Sequence, residues 1–292
     1  MSHVEKEIAS QPACWRKAIE VAASSPAGLP VAGERVAVIG CGTSLFMAQS
    51  YAVLRETAGQ GETDAFAASE FPAGRSYDRV VALTRSGTTS EILATLSTVD
   101  SQTPTVAITG DPTTPIMQAA RDIVVLDFAD EKSVVQTRFA TSALMLLRAH
   151  LGEDVTALVD QAEAAVTADL PAGAVERRQF TFLGTGWSIG VANEAALKLR
   201  EASQSWTEAY PAMEFRHGPV SIADENSVVW IFGQPPAGLS NDLSGTGALV
   251  VSDDLDPVVD LIRAQRLGVA LATARGLDPD SPRNLSRSVI LS

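Results

Sequence analysis

The stretch Val36-Ala37-Val38-Ile39-Gly40-Cys41-Gly42-Thr43-Ser44, continued by LFMAQSYAVLRETA, decides the fold. Its apolar, β-branched opening has no polar alternation, so it reads as a strand buried on both faces. The glycines make a tight turn, and the apolar spacing that follows is that of a helix. The same order returns downstream: RVVAL at 79–83, the loop Thr84-Arg85-Ser86-Gly87-Thr88-Thr89-Ser90, then the helical EILATLSTV. TVAITG at 105–110, IMQAARD and DIVVLDF at 122–128 continue it, and a long helix over 136–150 closes the unit before Leu151-Gly152. Short buried strands alternating with helices predict crossover connections and a parallel sheet covered on both sides.

An Ala- and Glu-rich helix over 155–168 and the breaker Leu170-Pro171-Ala172-Gly173 precede a restart. A strand at 179–183, the turn Gly184-Thr185-Gly186-Trp187-Ser188 and a helix over 189–206 align with the opening stretch, which points to an internal repeat. Further strands are expected at 228–232 and 247–251, with a helix over 257–275. Between those strands Gln234-Pro235-Pro236-Ala237-Gly238-Leu239 holds two prolines and replaces the expected helix. The predicted fold is α/β, with two three-layer units, each a parallel sheet flanked by helices, the second leaner. The expected division is 1–152, including an N-terminal helix, and 153–292, including a C-terminal tail at the active site.

The chain has 292 residues, enough for one large or two medium cores, with 46% apolar and 20% charged residues. That excludes a disulfide-stapled miniprotein and a disordered chain. A net charge of −13 repels phosphate backbones and anionic lipid, so neither nucleic acid nor a membrane is an expected partner. Cys14 and Cys41 are the only cysteines, too few for a disulfide framework or a cysteine-based zinc site. Glu5, Glu7 and Glu20 interrupt the place where a secretory signal needs an apolar centre, and no run reaches the ~18 apolar residues of a membrane span. A cytoplasmic protein is expected.

Hydroxyl residues crowd two loops that follow strands, Thr43-Ser44 and Thr84 through Ser90. Loops at the carboxyl ends of parallel strands form the ligand crevice of such sheets. Hydroxyls, backbone N–H groups and helix N-termini converging there can hold a phosphate without lysine. The plainer alternative is that Ser44 and Ser90 are ordinary helix caps. Other glycine-loop readings fail on spacing: Leu45 and Ile189 stand where a dinucleotide fingerprint needs its third glycine, no Walker lysine follows, and Thr84 replaces the first glycine of a hydrolase elbow.

Glu194, Lys198, Glu201 and Ser205 recur at steps of four, three and four on the second-unit helix, one polar stripe. An exposed salt-bridged face is the ordinary reading. The functional reading makes Glu201 a carboxylate base and Lys198 its polarising neighbour, moving a proton beside a carbonyl. His217, in Glu214-Phe215-Arg216-His217-Gly218-Pro219, sits at a Gly-Pro turn and is the best placed of three histidines for acid–base work. His3 and His150 lie in unrelated contexts, so neither a catalytic metal nor a cofactor is expected.

Taken in order, Gly40-Cys41-Gly42-Thr43-Ser44, the Thr84–Ser90 loop, Glu131-Lys132-Ser133-Val134-Val135-Gln136-Thr137, Glu194-Ala195-Ala196-Leu197-Lys198-Leu199-Arg200-Glu201, Phe215-Arg216-His217-Gly218-Pro219 and the tail 276–285 resemble the tandem sugar isomerase (SIS) domain family. The likeness is greatest to the isomerase half of glucosamine-6-phosphate synthase and to related phosphosugar isomerases, deaminases and deglycases. It implies that Ser44, Thr84, Arg85, Ser86 and Thr89 surround a sugar phosphate. It implies that Glu201 shuttles a proton between C1 and C2, that Lys198 assists, and that His217 opens the sugar ring. In the synthases this histidine comes from the neighbouring subunit, so a homodimer is implied as well.

Three departures qualify the resemblance. The chain begins Met1-Ser2-His3, without the N-terminal cysteine of a glutaminase, so use of glutamine is not expected. Arg287 stands where the synthase tail has an imine-forming lysine; a guanidinium stays protonated and forms no imine, but it can hold an anion. Thr84-Arg85-Ser86 replaces Ser-Gln-Ser and lies nearer the deaminase and deglycase branch. The expected function is aldose–ketose isomerisation of a 6-phosphorylated hexose or amino sugar, with deamination or deglycation as extensions of that chemistry. The alternative is a non-catalytic phosphosugar sensor.

Overall fold

The computed structural model describes residues 1–72 and 74–291. Ser292, the last residue of the expected second unit, therefore lies outside the described residues. Two helices, α1 (His3–Ala9) and α2 (Gln11–Ala23), lead into the first unit. It runs β1 (Val36–Gly40), α3 (Thr43–Thr57), β2 (Thr63–Ala67), β3 (Arg79–Thr84), α4 (Ser90–Thr98), β4 (Thr105–Thr109), α5 (Ile116–Ala119), β5 (Asp122–Val125) and α6 (Arg138–His150). Then follow α7 (Thr156–Ala165), β6 (Gln179–Gly184), α8 (Ser188–Ser203), β7 (Trp206–Pro211), β8 (Ser227–Phe232), α9 (Leu239–Ser244), β9 (Leu249–Ser252) and α10 (Pro257–Ala274).

Both sheets are parallel, ordered β2-β1-β3-β4-β5 and β7-β6-β8-β9. In each, the strand of the repeated motif lies second from the edge, the next in sequence forms that edge, and the rest extend on the other side. The second sheet is one strand leaner, as expected. The repeat extends to single atoms. A Cβ on Gly40 would strike the Ser44 backbone, and one on Gly184 would strike Ser188, so each strand-to-helix turn admits only glycine there.

Two strands depart from the sequence reading. β2 is a polar, half-buried edge strand, TDAFA, without the apolar run that marked its neighbours. The helix expected to reach Trp206 ends at Ser203, because Gln204 adopts φ 54° and turns the chain; Trp206 opens β7. The Pro-rich segment after β8 stops at Gly238, and the short α9 follows it. The stretch read as one strand to 128 is shorter, with a 3₁₀ turn over Asp127–Ala129.

Buried side chains from α2, α6 and α7 pack under the first sheet, while α8 and α10 cover the second. α10 joins the two, since Val258, Val259, Ile262 and Val269 belong to the first core and Leu261, Ala264, Leu267 and Leu271 to the second. No helix among the described residues is long and apolar enough to cross a membrane.

Candidate active site

The turn after β1 delivers Thr43 and Ser44 as the first two residues of α3, behind Gly42 at φ 53°. Neither Gly42 nor Thr89, the residues that precede α3 and α4, makes a side-chain cap, and Ser44 and Ser90 lie inside the helices they begin. The capping alternative therefore fails for both serines. Ser44, Thr84, Ser86, Thr89, Gln136 and Arg287 line a narrow polar cavity of about 30 Å³ at the carboxyl ends of β1 and β3.

Arg85 borders the same cavity, but its terminal nitrogens face protein. They donate to the carbonyls of Ser133 (3.1 Å), Val134 (3.3 Å) and Arg287 (3.0 Å), with Glu131 Oε2 at 3.5 Å. Glu131 is buried and accepts from the Thr137 N–H and hydroxyl and from the Arg138 N–H. Burial raises its carboxyl above the usual carboxylate range, against the pull of Arg85. Behind this loop, Glu7 of α1 accepts from the Lys132 N–H at 2.6 Å, the Ser133 N–H at 3.3 Å and the Ser133 hydroxyl. Sequence reasoning gave Glu7 no such part; a carboxylate on a short amphipathic helix carries no mark of the loop it meets.

The C-terminal tail lies along this loop and α4. Arg287 pairs with Asp130 at 2.5 Å and donates to the Glu131 carbonyl, Ser288 meets Thr88 at 2.9 Å, and the Val289 carbonyl takes the Ser90 N–H at 3.1 Å. Farther back, Asp280 accepts from the N–H groups of His3 (2.6 Å) and Val4 (2.7 Å), which ties the tail to the start of α1.

The stripe on α8 is not a solvated face. Glu194 and Lys198 are buried, and Glu201 is half-buried. Lys198 Nζ lies 2.5 Å from Glu201 Oε2, 2.9 Å from Thr43 Oγ1 and 3.5 Å from Glu194 Oε1. Burial pushes Glu194 up to about 8, against the pull of Lys198. Burial pulls on Lys198 in the opposite sense to its two carboxylates; these prevail, and its pKa is raised. Glu201 opens on a cleft of about 380 Å³ lined also by Arg200, Gln204, Ser205, Arg283 and Asn284. Thr43, which accepts from Lys198, is the chain neighbour of Ser44 in the hydroxyl cavity.

His217 is not brought to this group within one chain. It is exposed on a 3₁₀ turn, Glu214–His217. Ser205 lies beyond the end of α8 and bonds Ser203 and Arg275. No group of three or more His, Cys, Asp or Glu among the described residues is arranged to hold a metal ion.

The arrangement is thus one of hydroxyl loops at strand ends beside a Lys–Glu pair from a second parallel unit. Residues 31–151 match the family model described as SIS domain. The chain is 30% identical to the glutamine–fructose-6-phosphate aminotransferase (isomerizing) of Methanothermobacter thermautotrophicus, across 88% of this chain and 51% of that protein. It is 27% identical to the protein of that name from Gloeobacter violaceus, across 97% and 58%. The chain thus spans about half the length of the curated relatives it matches. Among solved structures, the fold is shared with a glucosamine-6-phosphate deaminase from Thermotoga maritima, with TM-score 0.82, 24% identity and coverage of 99% and 100%. It is also shared with a tagatose-6-phosphate ketose/aldose isomerase from Escherichia coli, with TM-score 0.73, 18% identity and coverage of 98% and 97%.

Proposed function

We propose that the protein is a phosphosugar aldose–ketose isomerase acting on a 6-phosphorylated hexose or amino sugar, with amine release or deglycation as extensions of the same enediol chemistry. The observation that carries this reading is the meeting of Lys198 with Glu201 at 2.5 Å and with Thr43, the neighbour of Ser44, at 2.9 Å. A phosphate held by Ser44, Ser86 and Thr89 anchors one end of the sugar, leaving C1 and C2 to reach Glu201.

In the reaction, Glu201 takes the proton from the carbon next to the carbonyl and returns it to the neighbouring carbon. Lys198, kept cationic by its carboxylates, stabilises the oxyanion of the enediolate. His217, exposed on its turn, opens the ring from the partner subunit of a homodimer. Each step needs only a base, a polarised carbonyl and an opened ring.

The test is solvent deuterium exchange across a panel of hexose and aminohexose 6-phosphates. Entry of deuterium at C1 or C2 with interconversion of aldose and ketose is the expected result. Tight binding of a sugar phosphate with no exchange would overturn the enzymatic reading in favour of a sensor.

A further inference from the structure

Gln136 is the one carboxamide among the residues that line the hydroxyl cavity, and its acceptor is uncommitted. Its Oε1 is buried with no hydrogen-bond partner, and its side chain lines the cavity beside Ser44, Thr84, Ser86 and Thr89. The backbone that carries it is fixed on both sides. Val135 is buried in the first core, and Thr137 gives both its N–H and its hydroxyl to buried Glu131. The amide is thus held at the cavity wall by its neighbours while bonding to none of them.

We propose that Gln136 is a specificity-determining residue, which reads a hydroxyl of the substrate beside its phosphate and so selects the phosphate ester of a polyol over a phosphate ester lacking hydroxyls. The inference rests on the phosphosugar reading above. A phosphate dianion offers acceptors only, whereas a carboxamide presents two donors at one end and an acceptor at the other. One end of Gln136 therefore suits the phosphate, and the other suits a group that donates. Turning the amide over exchanges the ends without changing this count. Leaving a buried acceptor unpaired is costly, so a ligand hydroxyl that satisfies it gains affinity that a hydroxyl-free ligand forgoes. The neighbouring arginines do not supply this discrimination. A guanidinium carries donors only and accepts nothing from a ligand hydroxyl: Arg85 donates to the carbonyls of Ser133, Val134 and Arg287 and keeps a buried, unpaired Nε donor, and Arg287 donates to Asp130 and the Glu131 carbonyl.

Calorimetric titration of the full chain with a hexose 6-phosphate and with ethyl phosphate tests the proposal. Gln136→Met keeps the length of the side chain and removes both hydrogen-bonding ends. It should reduce the preference for the hexose ester over ethyl phosphate by about tenfold, while the melting temperature stays near that of the wild type. Gln136→Glu, which sets a second anion against the phosphate, should weaken both ligands by about tenfold or more. A Met variant that keeps the wild-type preference would overturn the proposal and leave the phosphosugar reading standing. So would a Met variant that unfolds, since the amide would then be serving the fold. A wild type that binds neither ligand would remove the phosphosugar reading itself.

Discussion

Lys198 on α8 and Thr43 on α3 meet at 2.9 Å although 155 positions separate them in the chain. The contact joins the helix that follows β1 in one sheet to the helix that follows its counterpart β6 in the other. Two copies of one turn thus contribute opposite halves of a site: hydroxyls from the first, a charged pair from the second. Glu201→Gln keeps the size of this side chain, leaves Lys198 a hydrogen-bond acceptor and removes the base. Turnover of the substrate found by deuterium exchange should fall about 100-fold or more with binding retained. Steady-state kinetics beside direct titration check this, and unchanged turnover would remove Glu201 from the chemistry.

The buried Glu194 gives a dependence of stability on pH with a definite sign. Its carboxyl ionises near 4.5 when unfolded and near 8 in the folded protein, so between those values the unfolded chain has released a proton that the folded one holds. Stability from this group is therefore present at low pH and is lost as pH rises, at no more than about 1.4 kcal/mol per unit. Glu194→Gln abolishes the loss. The melting temperature of the variant, measured against wild type at pH 5 and pH 8, should rise relative to it at the higher pH. An equal difference at both would show that Glu194 is ionised throughout.

The parts of this site that could be read from the sequence are those written in short contiguous code. The apolar strand followed by Gly-x-Gly-Thr-Ser placed β1 and α3, and its echo at Gly184 placed β6 and α8, because a buried strand and a helix impose different periods. The stripe Glu194, Lys198, Glu201 announced one face of α8, but not that it is buried, since burial is decided by α3, 155 residues away from Lys198 at the point of contact. Arg85 was legible as a residue of the phosphate loop. Its turning toward Ser133 and Val134 depends on a loop that the local sequence does not foretell. Gln136 lay inside a quoted motif and escaped notice as a site residue; an amide between Val135 and Thr137 gains meaning only when the cavity beside it exists. Edge strand β2 was missed because half-buried positions relax the pattern that marks a strand.

Gly190 is what allows the two helices to bring Thr43 and Lys198 together. A Cβ there would sit against the Phe46 carbonyl oxygen and the Ser50 hydroxyl, which itself donates to the Trp187 carbonyl at 2.9 Å. Backbone cannot yield as a side-chain tip can, so Gly190→Ala must push α8 off α3. The expected result is a loss of about 1–3 kcal/mol in urea unfolding, despite alanine's better helix propensity, together with a drop in kcat larger than any change in KM. A variant as stable and as active as wild type would show that the helices do not need this approach.

Arg287 is where the resemblance and this chain part, and its surroundings sharpen what it does. The guanidinium lines the hydroxyl cavity and is steered by Asp130 at 2.5 Å, both side chains being about one-third exposed. Pairing at the surface contributes little to stability, and on the phosphosugar reading proposed above the residue presents a fixed cation to an anionic ligand in a protein of net charge −13. Arg287→Ala should accordingly weaken binding of a sugar phosphate about tenfold while kcat changes by less than about threefold. An imine is foreclosed on both available side chains: a guanidinium does not lose its proton, and Lys198 is held protonated beside Glu201 at 2.5 Å. Borohydride added to wild type with a ketose phosphate should therefore trap no adduct, as mass spectrometry of the intact chain would show, whereas Arg287→Lys offers an amine at the same wall and should trap one. A wild-type adduct located on Lys198 would overturn the assignment of that residue as a polarising cation, because only the deprotonated amine can attack the carbonyl.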